Sequence, residues 1–280
     1  MIELTGELIG DRYRIGGKIG EGGMSHVFHA DDLGVNGRPV AVKFLKHRAI
    51  SDRLEDLIRF RGEAETVSRL EHPGIIVIHE VGVHAGIHYL VTELLEGRSL
   101  AELVRAGPLP VAQATAIVYE LALVLQHIHE RGIVHRDIKP ANIIVRNGGA
   151  GRSLSLKLTD FGLSRIRDFS RIADGPEAAA TFCYMPPEQS GVLKRAVDER
   201  SDLYSLGIVF FQMLAGHLPF TGDNVSSIIH QQVARVPASP CVANPAIPPV
   251  LARIVLRLIE KEPERRYQGA RGLLSDLALF

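Results

Sequence analysis

The stretch Ile133-Val134-His135-Arg136-Asp137-Ile138-Lys139-Pro140-Ala141-Asn142-Ile143-Ile144-Val145 sets five polar or charged residues, His135, Arg136, Asp137, Lys139 and Asn142, between apolar pairs. A plain loop has no use for so much polarity against flanking apolar residues, because desolvation penalises it; an active site held on a rigid scaffold does. Eighteen residues beyond Asn142 comes Asp160-Phe161-Gly162, closing the alternating run Leu154 to Thr159. Asn142 and Asp160 are hard oxygen donors of the kind magnesium accepts together with substrate phosphates.

Working back toward the N-terminus, Lys43 lies inside the apolar run Val40-Ala41-Val42-Lys43-Phe44-Leu45. An ammonium in a half-buried strand wants an anionic partner, unless the strand is an edge and the amine reaches water. Glu63 and Glu65 on the next helix are both available, but residues two apart cannot both face the same way. Before Lys43 stands Gly20-Glu21-Gly22-Gly23-Met24-Ser25-His26-Val27. Small residues there let backbone amides approach phosphate oxygens, although a glycine-rich hairpin turn explains the same residues without a ligand. A dinucleotide-binding fold needs a helix after such glycines, and Val27-Phe28-His29-Ala30 alternates like a strand instead.

The first 92 residues read as hairpin-linked strands, at Tyr13 to Ile19, Val27 to Ala30, Val40 to Leu45, Ile75 to Val81 and Ile87 to Thr92. One helix, Leu54 to Leu70, interrupts them and is stopped by His72-Pro73-Gly74. After Glu96-Gly97 the texture becomes helical, with Val111 to Glu130, Ser201 to Leu214, Val250 to Ile259 and Arg271 to Leu279. The change divides the chain into two lobes, residues 1–92 and 97–280, joined by a hinge at 93–96. The 280 residues carry 32 Lys plus Arg against 32 Asp plus Glu, so no net field draws the chain to nucleic acid or anionic lipid. Apolar stretches such as Gly207 to Leu214 fall short of the about 18 residues that a bilayer span requires. Cys183 and Cys241 fit a reducing compartment and show no metal-ligand spacing.

In these motifs, taken in order from Tyr13 to Leu274, the sequence resembles a Hanks-type (eukaryotic-like) protein kinase, and is most similar to the bacterial serine/threonine branch. The resemblance implies an α+β, bilobal protein kinase-like fold: a small antiparallel sheet lobe with one helix and a larger, mainly helical lobe. It implies ATP as phosphoryl donor, magnesium or manganese as the ion, and protein Ser/Thr hydroxyls as acceptors, with autophosphorylation and a cytoplasmic setting, as a free protein or as the cytoplasmic domain of a longer chain. Nucleic acid and membrane are not implied as partners, and a homodimer is an option. Ile19, Gly20, Gly22, Gly23 and Ser25 would cover the phosphates, and Lys43 would hold the α- and β-phosphates. The family's spacing of this glutamate from a His-Pro selects Glu63 as the ion-pair partner of Lys43. Val27, Ala41 and Ile144 would sandwich adenine, the backbone at Glu93 and Leu95 would bond its polar edge, and Thr92 takes the gatekeeper position.

By the same resemblance Asp137 is the catalytic base, Lys139 neutralises charge on the transferred phosphoryl, and Asn142 and Asp160 hold the metal. Lys139 two residues after Asp137 fits Ser/Thr specificity, and Thr181 would bond both. Glu188 would pair with Arg266, and Asp202 would tie a helix start to the catalytic loop. The chain departs from the family at Ser25, Ala180 and Pro186, where glycine, glycine and alanine are usual, and at Gly62 inside the helix that carries Glu63. The segment 163–181 has few hydroxyls, so Asp174 or Glu177 is the expected permanent anion for Arg136. Two other readings start from the same fold, a nucleotide-binding pseudokinase or scaffold and a small-molecule phosphotransferase; the full set Lys43, Glu63, Asp137, Asn142 and Asp160 disfavours the first, and Lys139 with Pro186-Pro187-Glu188 the second. His127 and His129 read as surface or packing residues.

Overall fold

A computed structural model describes residues 4–22, 25–46, 62, 64–146, 154–161, 180–193 and 195–280. The chain divides into two compact units. The first holds 1–71, 76–96 and 161–169, the second 72–75, 97–160 and 170–280.

The first unit is built on a six-stranded antiparallel sheet. Its strands are β1 (Leu8–Ile9), β2 (Tyr13–Gly22), β3 (Ser25–Asp32), β4 (Arg38–Leu45), β5 (Ile78–His84) and β6 (Ile87–Glu93), in the spatial order β1-β2-β3-β4-β6-β5. Alternation of side chains divides the sheet into two faces. Phe28, Ala30, Val40, Val42, Phe44, Tyr89 and Val91 point one way and form a core with Leu4, Ile9, Tyr13 and Ile15. Phe28 meets Phe44 edge-on at 5.8 Å, which locks β3 against β4. Beside this core, Glu80 accepts hydrogen bonds from the Tyr13 and Tyr89 hydroxyls at 2.8 and 3.1 Å. Residues 64–68 are helical, and Gly62 before them is helical and exposed.

The strand expected from Ile75 starts at Ile78 instead. Ile75 makes a parallel bridge to Leu158 in the second unit, and Gly74 accepts a backbone hydrogen bond from Leu158 at 2.8 Å. Pro73 and Gly74 break the chain direction here, and Gly74 lies so close to Val124 that a Cβ would sit 2.5 Å from Val124 Cγ2. Residues His72–Ile75 therefore group with the helical unit, whereas Glu93–Glu96 group with the sheet.

The second unit contains α1 (Leu100–Arg105), α2 (Val111–His129), α3 (Glu199–Ala215), α4 (Val225–Ala234), the single turn α5 (Pro240–Ala243), α6 (Pro249–Leu258) and α7 (Ala270–Ala278). A small sheet accompanies them, with β7 (Arg98–Ser99), β8 (Ile143–Arg146) and β9 (Ser155–Leu158) in that order. The 19-residue α2 contains an 18-residue window of mean hydropathy 1.4 and is long and apolar enough to cross a membrane by length and composition. Its apolar residues Ile117, Val118, Leu121, Val124, Leu125 and Ile128 are buried within the unit, where α2 packs against α3, α7 and β9. Gly207 lets α3 approach α6, since a Cβ there would lie 2.5 Å from Leu258 Cβ.

Candidate active site

The loop 133–142 enters from the C-terminal end of α2 and leaves through a 3₁₀ turn, Pro140–Asn142, into β8. Its backbone is held in sequence by Asp202, a fully buried carboxylate in the first turn of α3. Asp202 Oδ2 accepts the His135 N–H at 2.8 Å and Oδ1 accepts the Arg136 N–H at 2.7 Å. His129 Nε2 donates to the same Oδ2 at 2.9 Å, so this residue, expected at the surface or in packing, is a partner of Asp202 instead. A helix N-terminus favours the carboxylate here, which reconciles a buried negative charge with an apolar surround.

His135 is itself fully buried, and that burial pushes its pKa below the ordinary histidine value. Its Nδ1 accepts from the Asp137 N–H at 3.2 Å, and its Nε2 donates to the Thr159 carbonyl at 2.9 Å. Those two bonds require the neutral Nε2–H tautomer. Asp137 is buried, and its Oδ2 receives Asn142 Nδ2 at 2.9 Å and Lys139 Nζ at 3.0 Å. Lys139 Nζ also lies 3.5 Å from Thr181 Oγ1. Four of the residues singled out in the sequence, Asp137, Lys139, Asn142 and Thr181, therefore form one connected group.

The β8–β9 ladder places the two expected metal ligands at one end. Ile143 pairs with Leu158, so Asn142 sits opposite Thr159, and the Thr159 N–H donates to the Asn142 carbonyl at 2.9 Å. Asp160 follows immediately, with a left-handed φ of 64°. Asn142 Nδ2 is engaged by the Asp137 carbonyl and carboxylate, so Oδ1 is the atom that Asn142 can offer to a cation. Among the described residues no group of three or more His, Cys, Asp or Glu forms a metal cage. The donor set fits a magnesium ion that takes its other ligands from phosphates and water.

In the first unit, register decides which candidates share a face. Lys43 lies opposite Val27 and Leu90, Ala41 lies opposite Thr92, and Gly20 lies opposite Val27. Gly20, Val27, Ala41, Lys43, Leu90 and Thr92 therefore line the sheet face turned away from the aromatic core. Gly22 pairs with Ser25 across the hairpin, and Ile19 is exposed. Glu93 ends β6 and its N–H donates to the Val77 carbonyl at 3.0 Å; Leu95 follows, partly buried. Ile144 is on β8 of the second unit. Gly23, Glu63, Asp174 and Glu177 lie outside the described residues.

Two supports complete the second unit. Arg266 makes a bidentate pair with Glu188 at 2.7 and 2.9 Å, and Ser201 Oγ donates to Glu188 at 2.7 Å. Burial pushes the Glu188 carboxyl up, but Arg266 and Ser201 outweigh it and hold the group below its usual range. Gln232 on α4, also fully buried, donates to the carbonyls of Phe182 and Cys183 at 2.7 and 3.1 Å. Burial raises the Cys183 thiol, which keeps it protonated and unreactive. Gln232 and Gln189 carried no signal in the sequence, because an isolated glutamine on a helix or turn is ordinarily a solvated residue.

The protein kinase domain model matches residues 13–276. The chain belongs to the protein kinase domain family. The kinase domain is 36% identical over 276 residues to the serine/threonine-protein kinase PrkC of Bacillus subtilis, covering 98% of this chain and 41% of that one. It is 38% identical over 275 residues to PknB of Mycobacterium leprae, covering 96% and 43%. The chain thus spans about two fifths of the length of these curated relatives. Among solved structures, the PknI kinase domain of Mycobacterium tuberculosis aligns with a TM-score of 0.77 at 25% identity, covering 99% of both chains. Rad53 determined with AMP-PNP aligns with a TM-score of 0.75 at 24% identity, covering 95% of this chain and 64% of that one. The antiparallel sheet unit and the mainly helical unit are those of the α+β protein kinase fold.

Proposed function

We propose that the chain is a serine/threonine protein kinase that transfers the γ-phosphoryl group of ATP to protein hydroxyls, its own included. The observation that carries this reading is the connected group Asp137, Lys139, Asn142 and Thr181, in which one buried carboxylate is gripped by an ammonium and an amide. A substrate Ser or Thr oxygen attacks the γ-phosphorus as its proton passes to Asp137. The bond from that phosphorus to the β,γ-bridging oxygen breaks, and ADP leaves with the electron pair. Lys139 supports the charge spread over the transferred group, and Thr181 keeps Lys139 and Asp137 in register.

Asn142 and Asp160 are the residues that would hold magnesium, or manganese in its place; the ion supplies charge neutralisation at the phosphates. Lys43, presented between Val27 and Leu90, would meet the α- and β-phosphates, with Glu63 as its ion-pair partner. Gly20, Gly22, Gly23 and Ser25 would cover the phosphates beside Ile19, and Val27, Ala41, Thr92 and Ile144 would contact adenine. Because the Glu93 N–H is engaged by Val77, adenine would meet the Glu93 carbonyl and the Leu95 N–H. Relatives named as serine/threonine kinases and the Lys139 position support Ser/Thr acceptors.

The test is transfer from magnesium ATP labelled at the γ-position to this chain and to a generic basic protein, beside Lys43→Met and Asp137→Asn. Phosphoserine or phosphothreonine is expected in the wild type, and a loss of about a hundredfold or more in each variant. ATP binding without any transfer would favour a scaffold, and transfer only to small hydroxyl compounds would favour a small-molecule phosphotransferase.

A further inference from the structure

We propose that Gln189 is a positioning residue for Asp137: its side-chain amide fixes the peptide plane that leads into the base and couples that plane to the turn following Pro186. This role rests on the kinase reading above, and the test below separates the two.

The starting observation is backbone geometry. Arg136 has φ of 67°, the left-handed region that a residue with a Cβ occupies only where its surroundings over-determine it. The peptide groups around it are all held. The His135 and Arg136 N–H groups go to Asp202, and the Asp137 N–H goes to His135 Nδ1. The remaining polar atom of the plane between Arg136 and Asp137 is the Arg136 carbonyl, and Gln189 Nε2 donates to it at 2.8 Å. Rotation of that plane would swing the Asp137 side chain away from Lys139 and Asn142. Gln189 and His135 grip its two ends.

Gln189 is well placed to act as a fixed point. It lies in the 3₁₀ turn Pro187–Ser190, and its own N–H donates to the Pro186 carbonyl at 3.0 Å. The preceding residue, Glu188, is locked by Arg266 and Ser201. The opposite end of the Gln189 amide gains nothing comparable: Oε1 is buried and has no hydrogen-bond partner among the described residues. A buried amide with a lone acceptor is unfavourable unless its donor matters, so the N–H is what the site uses. Pro186-Pro187-Glu188 resembles the substrate-docking segment of the family, which makes Gln189 the link between that segment and the base.

The test compares Gln189→Met, of similar length but without a donor, with Gln189→His, whose ring N–H can still reach the carbonyl. For Gln189→Met we expect kcat to fall about tenfold, KM for ATP to stay within about twofold and Tm to hold; tenfold corresponds to about 1.4 kcal/mol, the size of one hydrogen bond. Gln189→His should recover most of the lost kcat. Hydrogen exchange at the amides of residues 135–138 should accelerate in Gln189→Met and not in Gln189→His, a readout that does not depend on transfer. Unchanged kcat and exchange in Gln189→Met, or equal losses in both variants, would overturn the proposal. If Gln189→Met does not fold, Gln189→Leu, which also lacks a donor and cannot gain one, takes its place. If the wild type transfers no phosphate, the kinase reading fails while exchange still decides the positioning role.

Discussion

A histidine that must accept at one nitrogen and donate at the other has a single usable protonation state. His135 is in that position, between the Asp137 N–H and the Thr159 carbonyl. Burial lowers its pKa from the ordinary 6.5, and the carboxylates of Asp202, Asp137 and Asp160 only partly offset that. The unfolded chain therefore takes up a proton near pH 6.5 that the folded chain resists, and stability falls as pH drops from there toward the folded pKa. Urea midpoints measured between pH 5 and 7.5 should decline on the acid side for the wild type. In His135→Leu that acid-side slope should be shallower; identical slopes would contradict the assignment.

At the scale of elements, close approach of helices is the controlling fact. Gly207 sits where α3 meets α6, and an added Cβ would lie 2.5 Å from Leu258 Cβ and 2.7 Å from Ile259 Cγ2. Gly207→Ala should overpack this contact, cost about 1–3 kcal/mol and lower Tm by several degrees. A thermal melt indistinguishable from wild type would show that α6 yields without strain. The long elements were legible from sequence because period does not depend on tertiary context. The alternating β4 and the apolar α2 and α3 fall within two residues of their expected ends. Ile75 was misread because its β-branched neighbours look strand-like, and only the docking of Gly74 on Val124 diverts them. α1 and α4 were missed: the first is six residues long, and the second carries a low apolar content along Val225-Ser226-Ser227-Ile228-Ile229-His230-Gln231-Gln232. The site was legible wherever residue chemistry is unusual, at Asp137, Lys139 and Asn142. It was illegible wherever an ordinary amide acts through geometry, at Gln189 and Gln232.

At the scale of the whole molecule, Lys261 is a buried cation that works against stability. Lys261 Nζ is buried over the Phe220 ring at 3.7 Å and has no hydrogen-bond partner among the described residues. Burial, and then the charge of Arg266, lower its pKa from 10.5 to about 8. Between those values the unfolded chain binds the proton more readily, so this residue's contribution to stability rises with pH and is least favourable below about 8. Lys261→Met should raise Tm at pH 7, and the gain should shrink as pH approaches 10.5. A lower Tm at pH 7 would show that the contact with the Phe220 ring outweighs desolvation.

The path of the chain has a further consequence. His72–Ile75 leaves the sheet unit, supplies a bridge partner for Leu158 in the helical unit, and returns by residue 76. The boundary at Glu96–Gly97 is therefore not a seam along which the polypeptide can be parted. A fragment starting at Gly97 would lack the residues that cover Val124 and the edge of Leu158, and a fragment ending at Glu96 would carry Ile75 without its pocket. Exchange of one half for that of a relative would have to carry His72–Ile75 along with the helical half, so recombination in this architecture is constrained to move interleaved pieces, not contiguous ones.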